Sequence, residues 1–273
     1  MTPAGTSTRM PGALFVSDVH VKRPDCPRAE LFTAFLGTLD GRNTTRLFLL
    51  GDIFDLWVAD HRWFIDRYRR IIAELERLKR EGVEIHYFEG NHDLHLRYFF
   101  GDRLGLLVHD GPYTLELGDR TVRLEHGDEM DPDDKGYLFL RWFLRTPPVR
   151  LLIRHLPGTL IARLGNRASR MSRAYVTANK SMTEEKAIAT IHAHAKRVAR
   201  QEQFDLIVSG HVHVRDDSVL REGDRSFRSV NLGSWFDAPC CFRIDDETAQ
   251  FHELTNASFR QAVPRERRRA ASR

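Results

Sequence analysis

Five short clusters of carboxylate, imidazole and amide side chains recur along the chain: Asp18-x-His20, Gly51-Asp52, Gly90-Asn91-His92-Asp93, His126-Gly127-Asp128 and Gly210-His211-x-His213. Mixed nitrogen and oxygen donors of this kind suit a divalent ion such as Mn, Fe, Zn or Mg. Two such ions roughly 3.5–4 Å apart need about seven ligand groups, one of them shared. A carboxylate can be shared, each oxygen facing one ion, and Asp52 fits that role. Glycines beside the donors let the chain turn sharply and bring backbone close to the ions. Taken singly each cluster is weak, because a lone Asp-x-His is usually surface decoration and a lone buried His more often satisfies a core hydrogen bond. Five in this order are hard to produce by chance.

Each cluster ends an apolar or β-branched run. "ALFVSDVH" (13–20), "RLFLLGD" (46–52), "VEIHYFEGNHD" (83–93), "TVRLEHGD" (121–128) and "DLIVSGHVH" (205–213) read as buried strands, with "FRSVNLGSW" and "CCFRI" as two more. Phe64, Tyr68, Ile71, Leu75 and Leu78 recur at helical spacing, and Gly82 stops that helix. "TEEKAIATIHAHAKRVARQEQ" predicts an amphipathic helix capped by Thr183. Strand, helix, strand in alternation predicts an α/β layered core, and open α/β sheets build their sites just past strand ends.

A chain of 273 residues can bury a substantial core in one domain. The three cysteines, Cys26, Cys240 and Cys241, cannot make a disulfide framework and read as reduced thiols. The first residues lack the apolar core of a secretion signal, and no stretch approaches the ~20 apolar residues of a membrane span. A cytoplasmic protein is expected, with contact to a membrane surface left open. From Lys135 to Thr183 there is no Asp or Glu, whereas Arg141, Arg145, Arg150, Arg154, Arg163, Arg167, Arg170 and Arg173 stand among Trp, Phe, Leu and Ile. Residues 130–182 are therefore expected to be a helical cap inserted in a 12–250 domain, and the basic tail 260–273 to be disordered. Solvated arginines are the bland reading of the cap. An uncancelled positive field favours recognition of an anion, with apolar side chains left for acyl chains or a membrane surface.

The series D-x-H, GD, GNHD, HGD and GHxH resembles the calcineurin-like metallophosphoesterase superfamily over about 14–236. That resemblance implies an α/β, four-layer sandwich of two mixed β-sheets flanked by helices. "GDIFDLW", "HGDEMDPDDKGY", the cap length and "NLGSW" further resemble the UDP-2,3-diacylglucosamine diphosphatases of lipid A biosynthesis. Carried over by motif, Asp18, His20, Asp52 and His213 would hold one ion, and Asp52, Asn91, His126 and His211 the other. Mn2+ is the expected ion, with Fe, Zn or Mg as alternatives. Water activated between the ions would attack phosphorus in line, splitting UDP-2,3-diacylglucosamine into UMP and 2,3-diacylglucosamine 1-phosphate. Asp134 matches the family's cap entry, and Arg173, Asn179 and Lys180 fall in its Arg- and Lys-bearing segment. With Asn91 and His92, these four form the expected substrate contacts.

One motif departs from the family. The lipid diphosphatases read GNRD where this chain has GNHD. Expelling a phosphate calls for charge stabilisation, whereas expelling an alcohol gains from a proton donor, which His92 can be. His92 is thus expected to act near the metals without ligating them, and a phosphomonoester, a phosphodiester or a nucleic acid stays open as substrate. A non-catalytic scaffold is disfavoured, since every ligand position is filled. Asp55, Trp57 and Asp128 are expected to be structural, Asp93 to orient the loop or a ligating His, and His95 and His109 to be ordinary. His192 and His194, two apart on one helix, face different ways and make a poor metal pair.

Overall fold

Period-two alternation in the first strand gives the chain two faces to bury. In β1 (Gly12–Val16) Leu14 and Val16 enter one apolar cluster, while Ala13 and Phe15 enter another. The computed structural model describes residues 12–165, 183–236, 238–246 and 248–255. In it β2 (Thr44–Leu49) and β4 (Glu84–Phe88) divide their side chains the same way: Leu47, Leu49, Ile85 and Tyr87 to the first cluster, Phe48 and Phe88 to the second. Strands buried on both faces must be covered on both faces, and this sets the layer count.

One outer layer is helical. It comprises α1 (Pro27–Thr38), α2 (Arg62–Arg67) and α3 (Arg69–Arg80), whose Phe32, Phe35, Phe64, Ile71 and Leu75 complete the first cluster. The helix expected over 64–81 is broken at Tyr68 (φ −107°, ψ 21°), whose hydroxyl donates to the Val21 carbonyl at 3.1 Å. Gly82, at φ +87°, follows the end of α3.

The first sheet adds β6 (Leu107–His109), β12 (Cys240–Ile244) and β13 (Ala249–Glu253), in the order β13-β12-β1-β2-β4-β6. The pairs β1–β2, β2–β4 and β4–β6 are parallel, and those involving β12 are antiparallel. The second sheet takes β7 (Tyr113–Leu117), β8 (Arg120–Leu124), β9 (Leu206–Ser209), β10 (Arg215–Glu222) and β11 (Arg225–Leu232), in the order β10-β11-β9-β8-β7. Its central pairs β8–β9 and β9–β11 are parallel. Phe15, Phe48, Phe88, Val122, Leu124, Val208, Val230 and Phe242 interleave between the sheets, with Phe15 and Phe48 stacked at 4.7 Å. A small parallel pair joins β3 (Trp57–Val58) and β5 (Asp93–Leu94), tying the second ligand loop to the third.

Three helices follow β8: α4 (Lys135–Leu144), α5 (Pro147–His155) and α6 (158–165). The last helix, α7 (Glu184–Ala199), packs Ala195, Val198 and Ala199 on Ile207, Leu220 and Phe227 and forms the fourth layer. Thr183 caps it, accepting from the Lys186 N–H. The fold is thus the expected one, two mixed sheets face to face between helices. Among the described residues no helix is long and apolar enough to cross a membrane.

Candidate metal centre

All five clusters leave C-terminal strand ends on the same side of the two sheets. Asp18 and His20 follow β1, Asp52 follows β2, Asn91 to Asp93 follow β4, His126 and Asp128 follow β8, and His211 and His213 follow β9. The turns are tight enough to force unusual backbone. Asp18, His20, Asp52, His211 and His213 all have positive φ, between 48° and 68°, a region that side chains with a Cβ seldom occupy. Two glycines are required by close approach. A Cβ on Gly90 would sit 2.1 Å from Asp52 Oδ1, and one on Gly210 would sit 2.4 Å from Asp18 Oδ2.

Asp93 holds the second and third loops together. Its fully buried carboxylate accepts from the N–H groups of Asp52 (2.9 Å), Ile53 (2.9 Å) and Gly90 (2.8 Å) and from the Tyr87 hydroxyl (2.7 Å). Of its two expected roles, orienting the loop is the one realised. Asp52 in turn accepts the His92 N–H on Oδ1 at 2.8 Å. Its Oδ2 lies 3.8 Å from His20 Nε2 and 3.7 Å from His126 Nε2. Asp52 therefore stands between the two expected ligand sets with one oxygen rather than two, because the backbone has claimed the other.

On either side of that oxygen the remaining donors gather in two groups. His20 Nε2 and His213 Nε2 point at each other across 3.1 Å and lie 3.5 and 3.2 Å from Asp18 Oδ1. Asp18 Oδ1 is buried and forms no hydrogen bond among the described residues. Across the site, Asn91 Oδ1 lies 3.2 Å from His126 Nε2 and 3.0 Å from His211 Nδ1. His126 Nδ1 donates to the Leu50 carbonyl at 2.8 Å, which turns Nε2 inward. Burial lifts the Asp52 carboxyl to about 7 and pushes the His211 ring down to about 4. Burial would lower His126 as well, but the Asp52 and Asp18 carboxylates raise it to about 9. Imidazole and carboxyl groups aimed at a common centre, one oxygen orphaned and their protonation skewed, fit divalent cations well. Asp18, His20 and His213 form one compact trio, and Asp18, Asp52 and His126 another.

His92 stands at the edge. Its Nδ1–H donates to the Asp55 carbonyl at 2.9 Å, and its ring meets His20 edge-on at 5.0 Å. His20, Asp55 and His92 also bring ring nitrogens and a carboxylate oxygen within 4.8 Å of one another. Trp57 is core, its Nε1–H donating to the Ala59 carbonyl. His192 pairs with Asp216 at 2.9 Å, and His194 with the buried Glu125, so these two are held apart as their spacing implies. His95 is buried, and His109 stacks between Phe88 and Tyr113. Asp134 caps α4, accepting the Tyr137 N–H at 3.0 Å. Arg173, Asn179, Lys180 and the tail 260–273 lie outside the described residues.

Two neighbours of the centre escaped sequence reading. Phe236, half exposed, sets its ring 5.2 Å from His20 and 5.9 Å from His213, with the Arg28 guanidinium 3.8 Å from its centroid. Its only signal is a position just after "NLGSW". Tyr137 packs 6.3 Å from His211 and donates to Asp128 at 2.5 Å. Outside the centre, α4 to α6 expose Phe139, Trp142, Leu151, Leu152 and Leu164, each more than half accessible.

The chain is similar to known proteins over most of its length. Residues 13–215 match the family described as calcineurin-like phosphoesterase. A protein of Pseudomonas syringae pv. tomato named UDP-2,3-diacylglucosamine hydrolase is 30% identical over 239 residues, covering 86% of this chain and 92% of its own length. One of the same name from Pseudomonas aeruginosa is 31% identical over 230 residues, covering 81% and 90%. A solved archaeal phosphodiesterase aligns over 89% of this chain and 98% of its own at 13% identity, with a TM-score of 0.47. The chain belongs to the calcineurin-like phosphoesterase family and is a hydrolase of phosphoric esters or anhydrides.

Proposed function

We propose that the protein hydrolyses the phosphoanhydride of UDP-2,3-diacylglucosamine, releasing UMP and 2,3-diacylglucosamine 1-phosphate in lipid A biosynthesis. The observation that carries this reading is the placing of Asp52 Oδ2 between His20 Nε2 and His126 Nε2, one from each expected ligand set, joined to relatives bearing that activity in their names over most of their length. Asp18, His20, Asp52 and His213 would hold one divalent ion, and Asp52, Asn91, His126 and His211 the other. Mn2+ suits this set of imidazoles, carboxylates and an amide oxygen. When bound, such ions supply Lewis-acid stabilisation of phosphoryl oxygens and make water a better nucleophile. The remaining work falls to the chain. Asp93 fixes the Asp52 and Gly90 loops so that the donors need not reorganise, and Asn91 and His92 face the substrate. The exposed apolar surface of the cap suits the acyl chains of a substrate at an inner-membrane surface of the cytoplasm, with Asp134, Arg173, Asn179 and Lys180 as its contacts. The positive field expected of the cap is partly cancelled, because Arg141, Arg145 and Arg154 pair with Asp128, Glu89 and Asp60.

A second reading rests on His92. Its Nδ1–H is anchored on the Asp55 carbonyl, and in the imidazolium form Nε2 would carry the proton given to a leaving alkoxide. This favours a phosphodiester or phosphomonoester, including nucleic acid. One panel separates the readings: Mn-loaded protein offered an acylated UDP-sugar, its unacylated counterpart, a generic aryl diester and single-stranded DNA. Preference for the acylated UDP-sugar supports the first; turnover of only the diester or DNA rejects it. His92→Arg is the finer probe, expected to keep anhydride cleavage and lose ester cleavage. Asp52→Asn, still folded, should lose activity on every substrate by orders of magnitude.

A further inference from the structure

Helix α4 is wound with its polar stripe inward and its apolar stripe outward. Tyr137, Arg141 and Arg145 recur every four residues and so share one face. The Tyr137 hydroxyl and Arg141 Nε both donate to Asp128 Oδ2, at 2.5 and 2.8 Å, and Arg141 Nη1 pairs with Glu129 at 2.9 Å. One turn further on, Arg145 Nη2 lies 3.5 Å from Glu89 Oε2 and 3.5 Å from the Gly90 carbonyl. Asp128, Glu89 and the two guanidinium groups are largely buried. Asp128 is two residues past His126, and Glu89 is two residues before Asn91. One rigid helix therefore grips the loops that carry two donors of a single ion site, Asn91 Oδ1 and His126 Nε2, which stand 3.2 Å apart.

We propose that Tyr137, Arg141 and Arg145 form a positioning clamp through which α4 sets the separation of Asn91 and His126, and with it the affinity of that ion site. The clamp rests on the reading of the centre as a two-ion site and adds that the cap is part of its scaffold. Buried charge pairs carry this duty better than apolar contacts, because breaking one leaves a partner charge uncompensated. The helix cannot slide without stranding Asp128 or Glu89.

The test is Mn2+ titration of the full-length chain, read by the electron paramagnetic resonance signal of free Mn2+. Wild type should bind two ions. In Arg141→Ala and Arg145→Ala one binding step should weaken about 10-fold or more while the other holds, and Arg141→Lys should recover part of the loss. Turnover of a small aryl diester should fall at limiting Mn2+ and return at excess. If Arg141→Ala does not fold, Tyr137→Phe, which deletes a single oxygen, carries the test. Unchanged affinity at both steps in folded variants overturns the clamp and leaves the centre standing. A wild type that binds no Mn2+ overturns the centre itself, and the clamp with it.

Discussion

Replacing Asp93 by asparagine changes one oxygen into an amide nitrogen in the most densely bonded carboxylate of the site. Oδ1 accepts from the Asp52 and Gly90 N–H groups, and Oδ2 from the Ile53 N–H and the Tyr87 hydroxyl. With the amide oxygen kept on the Oδ1 side, the new NH2 can donate to the tyrosine oxygen but faces the Ile53 N–H, donor against donor. Stranding that buried N–H costs about 1–3 kcal/mol. The two bonds that remain lose their charge assistance, roughly half their strength, or about 1 kcal/mol each. The sum is about 4 kcal/mol, a large share of the roughly 5–15 kcal/mol that holds an ordinary domain together. Urea denaturation measures it directly: the midpoint should fall with the slope unchanged. Mn2+ affinity should fall as well, because the Asp52 turn is no longer pinned. A loss below about 1 kcal/mol would refute the claim that Asp93 organises these loops.

Gly90→Ala places a Cβ 2.7 Å from the Asp52 backbone nitrogen; backbone must move, and the expected cost of roughly 1–3 kcal/mol should appear in denaturation, together with loss of turnover. The edge of the first sheet should be acid-sensitive. Burial and the neighbouring His86 lower His109 to about 4, and burial also lowers His86, whose Nδ1 lies 3.0 Å from His109 Nε2. Bases whose pKa is depressed on folding bind fewer protons folded than unfolded, so their contribution is intact above about pH 6.5 and is lost as pH falls from there towards 4. Denaturation midpoints should therefore drop over that window, and drop less in His109→Phe, which keeps the ring stack but cannot protonate. Equal pH slopes in the two proteins would rule this out. Finally, His213→Gly removes a ring at φ +62° whose Nε2 lies 3.2 Å from the buried Asp18 Oδ1; relief of about 1 kcal/mol of backbone strain offsets the loss of that carboxylate's partner, so the metal-free melting temperature should shift by less than roughly 2–4 °C while one Mn2+ step is abolished.

The centre was legible because its donors come in local clusters at strand ends, where residue type and spacing carry the chemistry. Distant partners were not. That Asp52 offers one oxygen to the centre depends on the N–H of His92, forty positions away. Tyr68 breaks a helix whose periodicity runs straight through it, because its hydroxyl reaches Val21. Strand β10 gives no apolar run to read, since Leu220 is its one buried side chain and the rest line an outer edge. Tyr137 and Arg141 show helical spacing in the sequence, yet nothing there says that Asp128 waits on that face.

Five candidate ligands hold a backbone conformation that glycine or asparagine would adopt more easily. The conflict this creates is evolutionary. Selection for folding alone would drive these positions towards glycine, so their aspartates and histidines persist only while the chemistry is under selection. In a copy of this gene relieved of its task, substitutions should gather first at Asp18, His20, Asp52, His211 and His213, before the sheets behind them begin to drift.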